Sequence, residues 1–193
     1  LGRAFTTPRR AKIGMTGQNL VWVTEITAVR GILQNDAELV VAAYRRIADE
    51  IRLSTGEGIQ PDFSFHQHGP CLYNHGYGAA FAVDCSEIAT QVARTRFAFP
   101  EEKIALLAGL ILDGSQWMTR GSVTDFGAEG REITRRGQSA HYLNTAARNM
   151  ARFFQTYDLY VTPTVAQPPA RIGELAPKPA EQVLMKIVNT FGL

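Results

Sequence analysis

The stretch SFHQHGPCLYNHGYG, residues 64–78, places three histidines, two tyrosines, a cysteine and three glycines in fifteen positions. Three chemistries use such a set. A metal site is one: His66-x-His68 puts two imidazoles on one side of an extended chain, with Cys71 and His75 nearby, and zinc takes such ligands. No second ligand cluster, His-Glu-x-x-His or paired Cys-x-x-Cys accompanies them. A thiol site is another, with His68 beside Cys71, although a cysteine is more often a buried apolar residue. Proton transfer fits better. Tyrosine and histidine are general acid–base groups when neighbours move their pKa values, and His68 and Tyr77 stand nine residues apart across the glycine-rich loop. Asn19, near the start of a helical pattern after Thr-Gly-Gln, offers an amide to a carboxylate or a developing enolate. Arg131 and Arg135, four apart in GREITRR, share a face if that stretch is helical. An arginine beside a tyrosine favours the phenolate. Asn, His, Tyr and Arg together are what a β-elimination beside a carboxylate requires.

Each residue also has a simpler reading. Asn19 alone suits a helix cap. The arginines suit a solvated face, and Glu132 would orient one of them. Trp22 lies inside an apolar helical pattern, where burial in the core is the simpler role. Trp117, after DGSQ at a helix end, suits a core or a sugar-stacking platform equally.

Helices must position these groups. TGQNLVWVTEITAVRGIL reads as a first helix, with Thr16 as N-cap and Leu20, Val23, Ile26 and Val29 or Leu33 near helical spacing. NDAELVVAAYRRIADEIRLS reads as a second, capped by Asn35 or Asp36, with one apolar stripe through Leu39, Val40, Ala43, Tyr44, Ile47 and Ile51. A long loop follows, and such loops in a compact domain are more often functional than idle. AAFAVDCSEIATQVART, FPEEKIALLAGLILDGSQWM (Pro100 near its first turn) and SAHYLNTAARNMARFFQTY resume the helical pattern. Between the last two runs a glycine- and arginine-rich connection. After that the character changes: DLYVTPTV alternates as a strand, AQPPARIGELAPKPAE is extended and proline-rich, and EQVLMKIVNTFGL is a short helix. The pattern is therefore mainly α, with a short mixed strand, proline-rich and helical tail.

The 193 residues suffice for one domain with a core. A hydrophobic content of 45% and a charged content of 20% fit a globular protein rather than a disordered one. A net charge of +2 exerts no global pull on nucleic acid or membrane. The apolar runs are short of a membrane span. LGRAFTTPRR lacks the apolar core of a signal peptide, and the missing initial Met suggests a fragment. Cys71 and Cys85 permit one disulfide without demanding it.

TGQNLVW, QPDFSFHQHGPCLYNHGYG, DGSQWMTRG and DFGAEGREITRRGQSA, in this order and spacing, resemble the polysaccharide lyases of the hyaluronate, chondroitin AC and xanthan lyase family over about residues 14–140. Where that family normally has Asp-Gly-Ser and Asn-Gly-Gly-Tyr-Gly, this chain has Phe63 for the first Gly and His75 for the middle Gly. The resemblance implies a partial (α/α) toroid of helix pairs. It also implies cleavage of a uronic-acid-containing polysaccharide by β-elimination, with no cofactor and no metal. Asn19 would neutralise the uronate carboxylate, and His68 and Tyr77 would move protons. Arg131 and Arg135 would lie beside the tyrosine and the sugar, while Trp22, Trp117 and Arg120 would bind substrate. The partner would be an acidic polysaccharide, not nucleic acid or membrane, met in a secreted or periplasmic setting. Further toroid helices and β-sandwich domains of a longer parent would complete the cleft.

The tail differs. AHYLNTAARNMARFFQTYDLYVTPTVAQPPARIGEL resembles the C-terminal part of the amidase signature family, over roughly residues 140–193. Nothing like the GGSSGG region that holds that family's Ser-Ser-Lys set occurs here. The two resemblances imply a lyase-like segment, 1–139, joined to an amidase-like tail, 140–193, with the junction near residues 137–142. The alternatives to a lyase are an amidase-type hydrolase fragment, which needs a seryl nucleophile, and a helical remnant that binds carbohydrate without cleaving it.

Overall fold

The computed structural model describes residues 15–134 and 141–156. Arg135, the strand expected at 158–165, the proline-rich stretch at 166–181 and the helix expected at 181–193 lie outside the described residues.

The first two helices, α1 (Gly17–Leu33) and α2 (Ala37–Glu50), form a hairpin. α2 follows its sequence pattern. The Asp36 carboxylate accepts from the Leu39 amide at 3.0 Å, and Val40, Ala43, Ile47 and Ile51 are buried. α1 departs from its pattern. Its buried face runs through Leu20, Val21, Thr24, Ala28 and Gly31, while Ile26, Val29 and Leu33 are exposed. Small residues decide the roll of the helix: a Cβ on Gly31 would stand 2.8 Å from Val40 Cγ2, so the closest approach of α2 is over Ala28 and Gly31.

The core continues through α3 (Ala79–Val92) and α5 (His141–Thr156), which pack together. Phe81, Cys85 and Ile88 meet Leu143, Ala147 and Met150 in one buried cluster, and Asn149 Nδ2 donates to Ser86 Oγ at 3.2 Å. This part of the region assigned to the tail is therefore anchored in the core. The helix expected from Phe99 to Met118 is shorter. α4 (Glu101–Gly109) starts at Pro100 with two acids in its first turn, then gives way to a wide turn at Leu110–Gly114 and a tight one at Ser115–Met118. Phe63 explains the break. Its ring lies on Gly109 and its backbone on Gly114, so close that a Cβ at Gly109 would fall 2.8 Å from Phe63 Cζ and one at Gly114 would fall 2.7 Å from the Phe63 carbonyl carbon.

Two short antiparallel ribbons interrupt stretches that read as loops. β1 (Gly58–Ile59) pairs with β2 (Phe65–His66), Ile59 opposite Phe65. β3 (Thr119–Arg120) pairs with β4 (Val123–Thr124), Arg120 opposite Val123. Phe63 closes the first ribbon at φ +61°, the left-handed region where a glycine is unstrained. The Asp62 carboxylate steadies that turn by accepting from Ser64 N at 3.0 Å and Ser64 Oγ at 2.7 Å. The molecule is mainly α, built of helix pairs with the ribbons between them.

Candidate active site

The β1–β2 ribbon leads into His68, and a kinked turn, Asn74–Gly78, leads from Tyr73 through Tyr77 into α3. Gly76 makes the kink at φ +60° and ψ −103°. Asn74 fixes the turn to the ribbon: its Oδ1 accepts from Phe65 N at 2.8 Å and its Nδ2 donates to Ser115 Oγ at 3.2 Å. His75, which stands where the family has glycine, sits at φ −72°, open to any residue. Its buried imidazole has Nδ1 3.0 Å from Thr124 Oγ1, which ties the turn to β4.

On this frame the aromatic groups converge. The His68 and Tyr77 rings are 4.8 Å apart, edge to face at 88°, and Tyr73 stands 5.0 Å from Tyr77 and 6.3 Å from His68. Arg131, in the tight turn Gly130–Thr134, joins them. Its Nη2 is 2.9 Å from His68 Nε2, and it also hydrogen-bonds the phenol oxygens of Tyr73 and Tyr77. A guanidinium carries only donors, so Nε2 accepts and the ring proton lies on Nδ1. The bond it donates to Tyr73, opposed by desolvation and helped by the nearby phenol oxygens, holds Arg131 above its already high ordinary value. Tyr73, fully buried, donates to Glu132 Oε1 at 3.0 Å. Burial first, then Glu132, raise the Tyr73 phenol above its ordinary value, against the pull of Arg131. Glu132, expected to orient an arginine, accepts from the Tyr73 hydroxyl at Oε1.

α1 brings the other two groups. Trp22, a core residue by its apolar pattern and a substrate contact by the family resemblance, is 42% exposed and lies 5.7 Å from the Tyr77 ring. Its indole N–H bonds Asp84, which also accepts from Gln18 Nε2. Polar anchoring of the indole on α3 explains why Trp22 stays at the surface. Asn19, one turn before Trp22 and half-buried, shares its side of α1. Its amide has no hydrogen-bond partner among the described residues, and nothing makes it a cap. Thr16 holds the expected N-cap position, its carbonyl accepting from Leu20 N at 3.4 Å, but its hydroxyl makes no capping bond to the helix. Its hydroxyl donates to Glu57 Oε2 at 2.6 Å, while Gly17 N donates to Glu50 Oε1 at 2.5 Å and Gln18 N to Gln67 Oε1 at 3.0 Å.

His68, Tyr77, Arg131 and the Asn19–Trp22 face of α1 are thus brought together. Trp117 lies on the tight turn before β3 and Arg120 on β3; both are exposed, Trp117 at 75%. Arg135 lies outside the described residues. Both cysteines are free, and burial pushes the Cys85 thiol well up, which leaves it unsuited to attack. Sequence reasoning missed Tyr73, Gln67 and Glu57. Glu57 falls in a glycine-flanked loop with no period to mark it.

The chain matches the family described as polysaccharide lyase family 8, N terminal alpha-helical domain, over residues 3–160. It is 32% identical over 121 residues to chondroitinase-AC of Pedobacter heparinus, a match spanning 62% of this chain and 17% of that protein. It is 27% identical over 129 residues to a hyaluronate lyase of Thermasporomyces composti, spanning 66% of this chain and 16% of that protein. Among solved structures, a chondroitinase AC lyase determined with oligosaccharides has the same fold, with a TM-score of 0.73 at 23% identity over 94% of this chain and 24% of that one. A xanthan lyase of Paenibacillus gives a TM-score of 0.65 at 27% identity over 77% of this chain and 14% of that one. The helix pairs are therefore part of the lyase toroid, and the chain spans a small part of the length of these relatives. With the family profile matched over most of its length, the chain belongs to polysaccharide lyase family 8.

Proposed function

We propose that this chain carries the proton-transfer groups of a lyase that cleaves a uronic-acid-containing polysaccharide by β-elimination. The observation that carries the reading is the cluster itself: an arginine bonded to His68 Nε2 and to Tyr77, with the two rings 4.8 Å apart and the Asn19 amide on the adjoining helix without a partner among the described residues. Asn19 holds the C6 carboxylate and spreads the charge that builds on it. Tyr77 as phenolate, or His68 once Arg131 releases its Nε2, takes the C5 proton. The electron pair left on C5 forms the C4–C5 double bond as the C4–oxygen bond breaks. The departing oxygen takes a proton from Tyr77. The products are a 4,5-unsaturated uronate end and a free hydroxyl, and no water is consumed. Acid–base assistance of this kind contributes about 10²–10⁴-fold, and donors aimed at the developing charge add a comparable factor.

Arg131 keeps His68 and Tyr77 in register, and Arg135 adds charge beside the sugar. Trp22, Trp117 and Arg120 bind the polymer. The matched proteins are named for chondroitin, hyaluronate and xanthan, so a polymer of that acidic class is the substrate. Such polymers place the protein outside the cytoplasm, secreted or periplasmic. The remaining toroid helices and the β-sandwich domains of a longer chain close the cleft. The family match runs through residue 160 and α5 packs in the core, so an amidase-like tail, without a nucleophile, would begin beyond the described residues.

The test is ultraviolet absorbance of the unsaturated product, followed on hyaluronan, chondroitin and xanthan-derived substrates with the longest natural chain that contains this segment. Absorbance rises on at least one of them, and Tyr77→Phe abolishes the rise. Full elimination by Tyr77→Phe overturns the role of Tyr77. Polymer binding without any absorbance change in the unsubstituted protein overturns the lyase reading in favour of a binding remnant.

A further inference from the structure

His68 is held in a conformation that its own sequence disfavours. Its φ is +62°, and Gly69 follows at +79°. The amides of these two successive residues both meet one carboxylate, that of Glu57. Its Oε1 accepts from Gly69 N at 2.8 Å, and the His68 amide also bonds its carboxylate. Oε2 accepts from Gln67 Nε2 at 2.5 Å and from Thr16 Oγ1 at 2.6 Å. Gln67 is fully buried, and its own Oε1 accepts from Gln18 N at the start of α1. One carboxylate therefore ties the residue before α1, the side chain on which Asn19's helix begins, and the backbone that carries the His68 ring.

From this geometry we infer that Glu57 is a positioning residue: it fixes the His68 imidazole relative to Asn19, and it does so without touching substrate. The inference rests on the reading of His68 as a proton-transfer group. Four donors converge on the two Glu57 oxygens. A glutamine has one acceptor oxygen and one donor nitrogen, so Glu57→Gln turns at least one of these bonds into a donor–donor contact. The strained His68 backbone then relaxes and the ring moves. A displacement of about 1 Å at a reacting group costs up to roughly 100-fold in rate.

The experiment is a double-substitution cycle on the longest natural chain, read as kcat and KM for elimination. Glu57→Gln lowers kcat by about tenfold to a hundredfold with KM nearly unchanged. In a His68→Ala background the same substitution costs nothing further, because its effect passes through the lost ring. Thr16→Val, a milder change at the same carboxylate, lowers kcat in the same direction by less. Wild-type kcat in Glu57→Gln overturns the inference and leaves the lyase reading intact. An equal loss in the His68→Ala background also overturns it, since Glu57 would then act on the fold at large. Full activity of His68→Ala alone overturns the reading on which the inference rests. Nitrogen-15 spectra of the imidazoles give a readout independent of turnover: the proton of His68 stays on Nδ1 in the parent chain and is shared between both nitrogens in Glu57→Gln. An unchanged His68 spectrum counts against the inference.

Discussion

Arg131 Nη2 lies 2.9 Å from His68 Nε2, across sixty-three positions of sequence. The contact occupies the Nε2 lone pair and leaves the ring proton on Nδ1, and it places a permanent positive charge beside both the imidazole and the Tyr77 phenol. Arg131 is exposed, so its value to the molecule lies in the site rather than in the core.

Replacing Arg131 by lysine tests this directly. A lysine ammonium is a point charge on a flexible stem and cannot bridge His68, Tyr73 and Tyr77 at once. Arg131→Lys is expected to lower kcat by roughly 10²-fold, measured by product absorbance. The melting temperature stays within a few degrees of the parent, because an exposed substitution rarely changes stability by more than about 0.5 kcal/mol.

Tyr73 makes the complementary case. It is buried, and its hydroxyl satisfies Glu132 Oε1. Tyr73→Phe removes a donor from a buried acceptor, at a cost of about 1–3 kcal/mol in denaturant unfolding. It also removes one of the two phenol oxygens that hold Arg131. A loss of stability with a modest fall in kcat is expected, the reverse of the Arg131→Lys profile.

The departures from sequence expectation have physical causes. α2 was fully legible because one apolar stripe and one acidic cap both act within the helix. α1 misled because its large apolar residues Ile26, Val29 and Leu33 lie away from the closest packing, which Ala28 and Gly31 claim. Periodicity weighs side chains by hydrophobicity and cannot see that a small residue decides the approach of two helices. In the cluster, His68, Tyr77 and Arg131 stand out by chemical type and family resemblance, and the structure shows that they meet. For Trp22 the apolar pattern points to the core and only the resemblance to the surface, since its bond to Asp84 on α3 joins positions sixty-two apart. Glu57 and Gln67 stayed hidden for the same reason: their work is done on partners that no local pattern predicts.

Phe63 gives a prediction with an internal control. A Cβ at Gly109 would collide with the Phe63 ring, whereas a Cβ at Gly114 would collide with the Phe63 carbonyl group. Gly109→Ala is expected to destabilise the protein by about 1–3 kcal/mol through overpacking. Adding Phe63→Gly recovers most of that loss, since the clashing ring is gone and the backbone at φ +61° no longer carries a side chain. Gly114→Ala is expected to cost more, and Phe63→Gly does not rescue it, because the obstructing atoms are backbone. Thermal unfolding of the four variants and the parent decides the matter.

Three acids crowd the contact between α1 and α3. Glu25 sits above its ordinary value of 4.5 because of burial first, then Asp84 and Glu87. Asp84 is raised likewise by burial and by Glu87, against the bonds from Gln18 and Trp22. A carboxyl whose pKa is higher folded than unfolded binds its proton more tightly in the folded state. Its contribution to stability is complete below its unfolded value and is lost as pH rises through its folded value. At neutral pH the ionised Glu25 therefore weakens the fold. Glu25→Gln is expected to raise the melting temperature at pH 7, and the gain should shrink to nothing as pH falls below about 4.5, where the glutamate is protonated in both states. Glu57 runs the other way. Burial pushes its carboxyl up, yet the bonds from Thr16, Gly69 and His68 outweigh that and leave it below 4.5. Its stabilisation is complete above 4.5 and is lost as pH falls through its lower folded value. Melting temperatures of the parent, Glu25→Gln and Glu57→Gln across pH 3–8 should therefore diverge in opposite senses: the first variant gains most near neutrality, and the second loses most there. Parallel curves for all three proteins would remove the electrostatic account of both carboxylates.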